Sequence, residues 1–133
     1  MSNIIRTAGC CGVPRVIACG DAKIETRVAR DGAETVDLVC RRSLPPVLNT
    51  LRAERYRLVG LEQASGSQCL PEYAFPRKTA LVIGNERTGL AEDVLAMLDD
   101  VVEIPIYGLP HSLNVANATA MALYEYCRQY PSG

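Results

Sequence analysis

Much that would identify a function at a glance is missing from this 133-residue sequence. There is no tryptophan and only one histidine, His111. No 18-residue apolar run occurs, which leaves no transmembrane helix, and Met1–Arg6 lacks the basic-then-apolar layout of a signal peptide. The expectation is a soluble, cytoplasmic chain. Its six cysteines (Cys10, Cys11, Cys19, Cys40, Cys69 and Cys127) include no C-x-x-C pair. One histidine cannot complete a local Cys/His zinc site, so no metal is expected. With no secretory signal the thiols read as reduced, small buried hydrophobes. Internal repeats and low-complexity tracts are absent. There is no G-x-G-x-x-G, and the glycine spacing of Gly84 and Gly89 is followed by Leu90 and Ala91 instead of the Lys and Ser/Thr of a phosphate loop.

What remains is ordinary globular composition: 48% hydrophobic, 22% charged, with 10 Gly and 8 Pro. The length suits one domain able to bury a core without disulfides. The net charge of −1 argues against a strongly basic nucleic-acid binder, but the charge is unevenly spread. Residues 1–57 carry 10 Lys/Arg against 6 Asp/Glu, whereas residues 58–133 carry 4 against 9. Twelve of the basic residues are arginine, whose planar fork suits phosphate. A basic face from the first half and a solvated, mixed-charge surface both fit this count.

Two hydrophobic periods alternate along the chain. Asn3 to Gly12 predicts a short helix and Arg15–Cys19 a strand, followed by a polar connection from Gly20 to Ala33. Val36–Cys40 is a second strand, Ser43 opens a helix with prolines in its first turn that runs toward Arg55, and Tyr56–Leu61 is a third strand. Ala64 to Arg77 is a loop of turn residues. Thr79–Ile83 is wholly apolar and is expected at the centre of the sheet. A helix from Leu90 to Leu98, a strand Val101–Ile106 and a helix from about Leu113 to Arg128 complete the pattern. Alternating strands and helices predict an α/β domain, a mostly parallel sheet with helices on both faces. The last helix is rich in alanine, which fits helix propensity and also close packing against a sheet or a second subunit.

Ligands of such sheets bind beyond the C-terminal ends of strands, here the turns after Leu61, at Gly84 and after Ile106. Three polar clusters lie in apolar surroundings: Asn3 with Arg6, Asn85-Glu86-Arg87, and His111-Ser112-Leu113-Asn114. Each also has a structural explanation: Arg6 as a surface helix residue, Glu86 as an ion-pair partner, Ser112 as a helix N-cap.

Taken in order, three segments resemble the motifs of the SpoU/TrmH branch of the SPOUT RNA methyltransferases. Ile4-Ile5-Arg6-Thr7-Ala8 with Gly12-Val13 is similar to the first. Leu81 to Leu90 (LVIGNERTGL) is similar to the second, and Ile104-Pro105-Ile106 with Ser112-Leu113-Asn114-Val115-Ala116 to the third. The resemblance covers nearly the whole chain, including Gly60-Leu61-Glu62-Gln63. It implies a C-terminal trefoil knot, an exception to the unknotted rule, with S-adenosyl-L-methionine bent inside it and a homodimer packed across it. It also implies an opening strand and an asparagine six residues before Arg6. The chain starts too close to Arg6 to hold either, so the expectation is a single domain, 1–133, without that strand and without an N-terminal RNA-binding extension.

By the same resemblance, Gly84, Ile104, Ser112 and Leu113 line the cofactor pocket and the turn at Leu61 and Glu62 closes it. The implied reaction is methylation of a ribose 2′-hydroxyl in RNA, with tRNA (guanosine favoured) ahead of rRNA. Arginine almost never deprotonates, so Arg6 is expected to grip the adjacent phosphate and bias that phosphate or a water to accept the hydroxyl proton. Glu86 would orient Arg6 or the ribose, and Asn114 would hydrogen-bond the substrate or the loop. Arg27, Arg30, Arg41 and Arg42 are the expected phosphate contacts of the basic half. The alternative is a non-catalytic RNA-binding or dimerisation module on the same fold. A small nucleotide-binding α/β enzyme lacks both glycine fingerprints.

Overall fold

The computed structural model describes residues 2–20, 36–108 and 113–132. Helix α1, Ser2–Cys10, leads into strand β1, Arg15–Cys19, which pairs in parallel with β2, Asp37–Arg41. Helix α2, Leu44–Ala53, follows Ser43 and carries prolines in its first turn, where the missing N–H costs no hydrogen bond. Arg55, just beyond it, has a φ of 70°, a left-handed position where glycine is usual. Strand β3, Arg57–Leu61, the two-residue β4, Gln68–Cys69, a 3-10 turn at Leu70–Glu72 and β5, Thr79–Ile83, come next. Helix α3, Glu92–Leu95, strand β6, Asp100–Glu103, and helix α4, Val115–Gln129, complete the described elements.

β4, β6, β3 and β5 form a four-stranded sheet in that order, and every pairing is parallel. The chain places β5 on one side of β3 and then crosses to place β6 on the other. That crossing makes β3 the switch point, with a crevice beyond its C-terminal end. Alternation along β3 explains the two layers. Leu58 faces a core of Val47, Leu48 and Leu51 from α2, with Val82, Leu90 and Val94. Val59 faces the opposite core with Val102, Leu70, Tyr73, Phe75 and Ala122 of α4. Helices therefore cover both faces, as the sequence pattern predicts.

Other expectations are corrected. β1 and β2 form a sheet of their own among the described residues, joined to the rest through side chains, since Ile17 and Cys19 pack on the α2 core. β5 is an edge strand, not a central one. It is apolar from Ala80 onward because Val82 and Ala80 face one core and Leu81 the other. β6 stops at Glu103 instead of Ile106, close to Pro105, which has no N–H to give the ladder. The stretch expected as loop from Ala64 to Arg77 contains β4 and the 3-10 turn, and α3 is a single turn. No cysteine is fully buried: Cys10 and Cys40 are exposed and the other four are half-buried free thiols. Cys127 Sγ donates to the Cys11 carbonyl at 3.3 Å, tying α4 to the end of α1. Burial, reinforced by Cys127, pushes the Cys11 thiol up to about 11, which favours the protonated form at neutral pH.

Two side-chain networks lock the far end of the sheet. The Arg57 guanidinium meets Asp100 through Nε at 3.0 Å and Nη2 at 3.3 Å, and Tyr73 donates its hydroxyl to the same carboxylate at 2.7 Å. Residues 73–76 lie outside the strands, and the end of α4 supplies hydrogen bonds to Tyr73 and Phe75. Gln129 Nε2 donates to the Tyr73 carbonyl and Gln129 Oε1 accepts from the Phe75 N–H, both at 2.8 Å. Tyr130 donates to the Phe75 carbonyl at 2.5 Å. The rings of Tyr73 and Phe75, 4.9 Å apart and edge-to-face, continue through Tyr126 to Tyr130. The implied knot depends on the path between Gly108 and Leu113, and residues 109–112 lie outside the described residues.

Candidate active site

A cavity of about 300 Å³ opens beyond the C-terminal ends of β3, β5 and β6. Because those strands are adjacent and parallel, their last residues, Leu61, Ile83 and Glu103, emerge at one edge. Its apolar wall is built by Leu61, Ile83, Ile104 and Ile106, with Leu113 just before α4 and Val115 and Ala118 from its start. Among the described residues its polar rim carries Glu62, Glu86 and Glu103 against one cation, Arg87, so the site favours a ligand bearing positive charge. Glu103 is held in place by Ser67, whose hydroxyl donates to it at 2.7 Å.

The loop after β5 supplies one side. Asn85 and Gly89 exchange both backbone hydrogen bonds, Gly89 N–H to Asn85 carbonyl at 2.8 Å and the reverse at 3.3 Å. Asn85 Oδ1 also accepts from the Arg87 N–H at 2.8 Å. The result is a tight loop that presents Glu86 and Arg87 to solvent at the cavity mouth. Its neck is crowded. A Cβ on Gly84 would fall 2.4 Å from the Gly89 carbonyl carbon and 2.6 Å from the Leu90 nitrogen. Gly89 itself has a φ of +68° and lies against the Glu62 carboxylate. Gly84 is therefore required by close backbone approach and Gly89 by its left-handed φ beneath the Glu62 carboxylate, with no need for a bound phosphate to explain their spacing.

Of the residues singled out from sequence, Leu61, Glu62, Gly84, Glu86, Ile104 and Leu113 all border this one cavity. Arg6 and Asn114 are not among its lining residues. Arg6 is on the exposed side of α1, together with Asn3. Asn114 is the N-cap of α4, its Oδ1 accepting from the Ala116 N–H at 2.8 Å, a task the sequence reading offered to Ser112. Arg41 and Arg42 are exposed at the end of β2, with Arg41 Nη1 donating to the Cys40 carbonyl. Ser112, Arg27 and Arg30 lie outside the described residues. Sequence reasoning missed Gln63, Glu103, Val115 and Ala118 as lining residues. Glu103 was findable, since it is the last ladder residue of a parallel strand.

A residue set that can seat a flat aromatic group against isoleucines and leucines, with carboxylates nearby for a cation, fits S-adenosyl-L-methionine. The volume is at the lower end of the range for small-molecule sites.

Comparison with known proteins agrees with this geometry. The chain is 43% identical over 82 residues to the tRNA (guanosine(18)-2′-O)-methyltransferase of Mus musculus, covering 62% of this chain and 5% of that protein. It is 35% identical over 131 residues to the 23S rRNA (guanosine-2′-O-)-methyltransferase of Acinetobacter baylyi, covering 94% of this chain and 53% of that enzyme. The crystal structure of the SpoU methyltransferase AviRb from Streptomyces viridochromogenes with AdoMet superposes with a TM-score of 0.84. Identity there is 31%, over 99% of this chain and 56% of that one. The chain thus spans about half the length, or less, of these curated relatives. A model of the SpoU rRNA Methylase family matches residues 1–124. With that match reaching from α1 well into α4, the chain belongs to the SpoU rRNA methylase family.

Proposed function

We propose that this protein transfers the methyl group of S-adenosyl-L-methionine to a ribose 2′-hydroxyl of RNA, with tRNA guanosine favoured and rRNA next. The observation that carries the reading is the cavity at the switch point of the parallel sheet, walled by the GNERTG loop and rimmed by carboxylates. The cofactor, when bound, supplies an electrophilic methyl on a positively charged sulfur. Leu61, Gly84, Ile104 and Leu113 would hold it, joined by Ser112. Transfer would require the ribose hydroxyl oxygen to be held in line with that methyl group and an acceptor for the hydroxyl proton. Fixing both reactants in register supplies much of the acceleration. Arg6 binds the phosphate beside the target ribose and favours proton transfer to that phosphate or to water. Its exposure on α1 suits a contact with RNA more than with the cofactor. Glu86, at the cavity mouth, orients Arg6 or the ribose, and Asn114 keeps its amide NH₂ for the substrate or the loop while its oxygen caps α4.

RNA affinity would come from arginines of the basic half, with Arg41 and Arg42 exposed to make phosphate contacts and Arg27 and Arg30 assigned on sequence alone. A homodimer would form through α4, whose Met121 and Tyr124 are 45% and 71% exposed. A tRNA substrate is compatible with a cytoplasmic location. No helix among the described residues is long and apolar enough to cross a membrane.

Calorimetric titration tests the cofactor site: one equivalent of S-adenosyl-L-methionine per chain, lost in Gly84→Trp. Methyl transfer to bulk tRNA tests the chemistry. Arg6→Ala should abolish transfer while sparing cofactor binding, and retained turnover would remove Arg6 from the mechanism. A folded chain that binds RNA but no cofactor would instead be the non-catalytic module.

A further inference from the structure

Glu62 sits one residue beyond β3, and its surroundings are unusual for a residue that merely borders a cavity. Its own N–H donates to the Val102 carbonyl at 3.0 Å, fixing it to β6. Its Oε2 accepts from the Leu90 N–H at 2.8 Å, across 28 residues of sequence. A Cβ on Gly89 would lie 2.4 Å from Oε2, 3.2 Å from Cδ and 3.4 Å from Oε1. The carboxylate therefore lies flat over the α-carbon of Gly89, in the volume any other residue would fill with its side chain. Gly89 and Leu90 form the return limb of the loop that carries Glu86, and Asn85 is locked to Gly89 by paired backbone hydrogen bonds. A displacement of Gly89 must move Asn85, and with it Glu86.

We propose that Glu62 is a positioning residue: its carboxylate is an acceptor strut from β3 to the neck of the Asn85–Gly89 loop, setting where Glu86 stands. The strut works through an oxygen lone pair, so charge is secondary. It differs from a direct grip on the cofactor, which would rely on the negative charge to meet a sulfonium or an ammonium. Its consequence for turnover rests on the methyltransferase reading; the strut itself does not.

The experiment compares Glu62→Gln, which keeps an acceptor oxygen, with Glu62→Ala, which removes it. Amide hydrogen exchange at Gly89 and Leu90 is read in the full chain without RNA or cofactor. Loss of one hydrogen bond worth about 1–1.5 kcal/mol corresponds to roughly tenfold faster exchange at Leu90 in Glu62→Ala, with Glu62→Gln near wild type. Methyl transfer should follow the same order: kcat reduced in Glu62→Ala and rescued in Glu62→Gln, while the KM for S-adenosyl-L-methionine changes less than kcat. Unchanged Leu90 exchange in Glu62→Ala overturns the strut. So does equal loss of cofactor affinity in both variants, which would mark a charge contact. If Glu62→Ala does not fold, Gly89→Ala substitutes for it, because its methyl group drives the carboxylate off Leu90 and must also speed Leu90 exchange. A wild-type chain without methyl transfer would count against the proposed activity alone, since the exchange measurement still decides the strut.

Discussion

Replacing Gly84 by alanine adds one methyl group at the tightest point of the molecule's functional edge. The new Cβ would stand 2.4 Å from the Gly89 carbonyl carbon, 2.6 Å from the Leu90 nitrogen and 2.7 Å from the Gly89 oxygen, where ordinary contact begins near 3.4 Å. Relief requires the loop neck to move by about 1 Å, and the clashing atoms are backbone, which cannot rotate away. Overpacking of this kind costs about 1–3 kcal/mol, and rigid neighbours place it at the upper end. For a domain of this size that is a fall in Tm of roughly 10 °C. Two other glycines give the scale. At Gly60 the added Cβ would meet Leu98 Cδ1 at 2.4 Å, the far end of a side chain that can turn, so the cost falls to about 1 kcal/mol. At Gly108 nothing lies within 4 Å, and Gly108→Ala should leave the melt unchanged or slightly raised. Thermal melts of the three single variants followed by circular dichroism should rank Gly84→Ala well below Gly60→Ala, with Gly108→Ala at wild type. If Gly84→Ala melts with Gly108→Ala, the neck is soft, and the requirement for glycine at its base is wrong.

Other outcomes follow from the networks described above. The Arg57 guanidinium, with help from the Tyr73 hydroxyl, holds the Asp100 carboxyl below its ordinary value of 3.8. Its stabilising contribution is therefore complete above that value and is lost as pH falls through the lower folded value. Asp100→Asn should flatten the acid limb of a stability–pH curve; an unaltered limb would assign acid unfolding to other carboxylates. Asn114→Ala should cost about 1 kcal/mol as a lost helix cap, and Asn114→Asp should restore stability. Methyl transfer that stays absent in the stable aspartate variant would separate the side chain's NH₂ from its capping oxygen. Arg55→Gly relieves a left-handed non-glycine residue and should raise stability by about 0.5–1 kcal/mol in a denaturant melt, whereas a loss would mean the arginine side chain contributes more than its backbone costs.

Local pattern was enough wherever an element's own residues determine it. Arg15–Cys19 and Thr79–Ile83 were legible to the residue, because each is a short apolar run between turn residues. The place of β5 in the sheet was not legible, since apolar residues on both faces mark burial by two layers and say nothing about neighbours in the hydrogen-bonded plane. β4 is two residues long and has no alternation to detect. The GNERTG loop could be singled out as a polar cluster after a buried strand, and its part in the cavity was anticipated. The bond from Glu62 to Leu90 could not be, because it depends on two strand ends brought together by crossover topology. Asn114 shows the same limit on a smaller scale: Ser112 and Asn114 are both good caps, and the helix start decides between them.

Helix α4 closes the cavity with Val115 and Ala118 at one end, and Gln129 with the following Tyr130 fastens Tyr73 and Phe75 at the other. All six described strands precede it in the chain. During synthesis, which delivers the N-terminal segments first, the strand ends and the GNERTG loop emerge while the cavity still lacks a wall. The extended stretch from Tyr73 likewise waits, with unpaired backbone groups, for partners more than fifty residues downstream. A nascent chain is therefore unable to wall this cavity until α4 has emerged and docked, so the cavity is a product of the whole described fold and not of the strand ends alone.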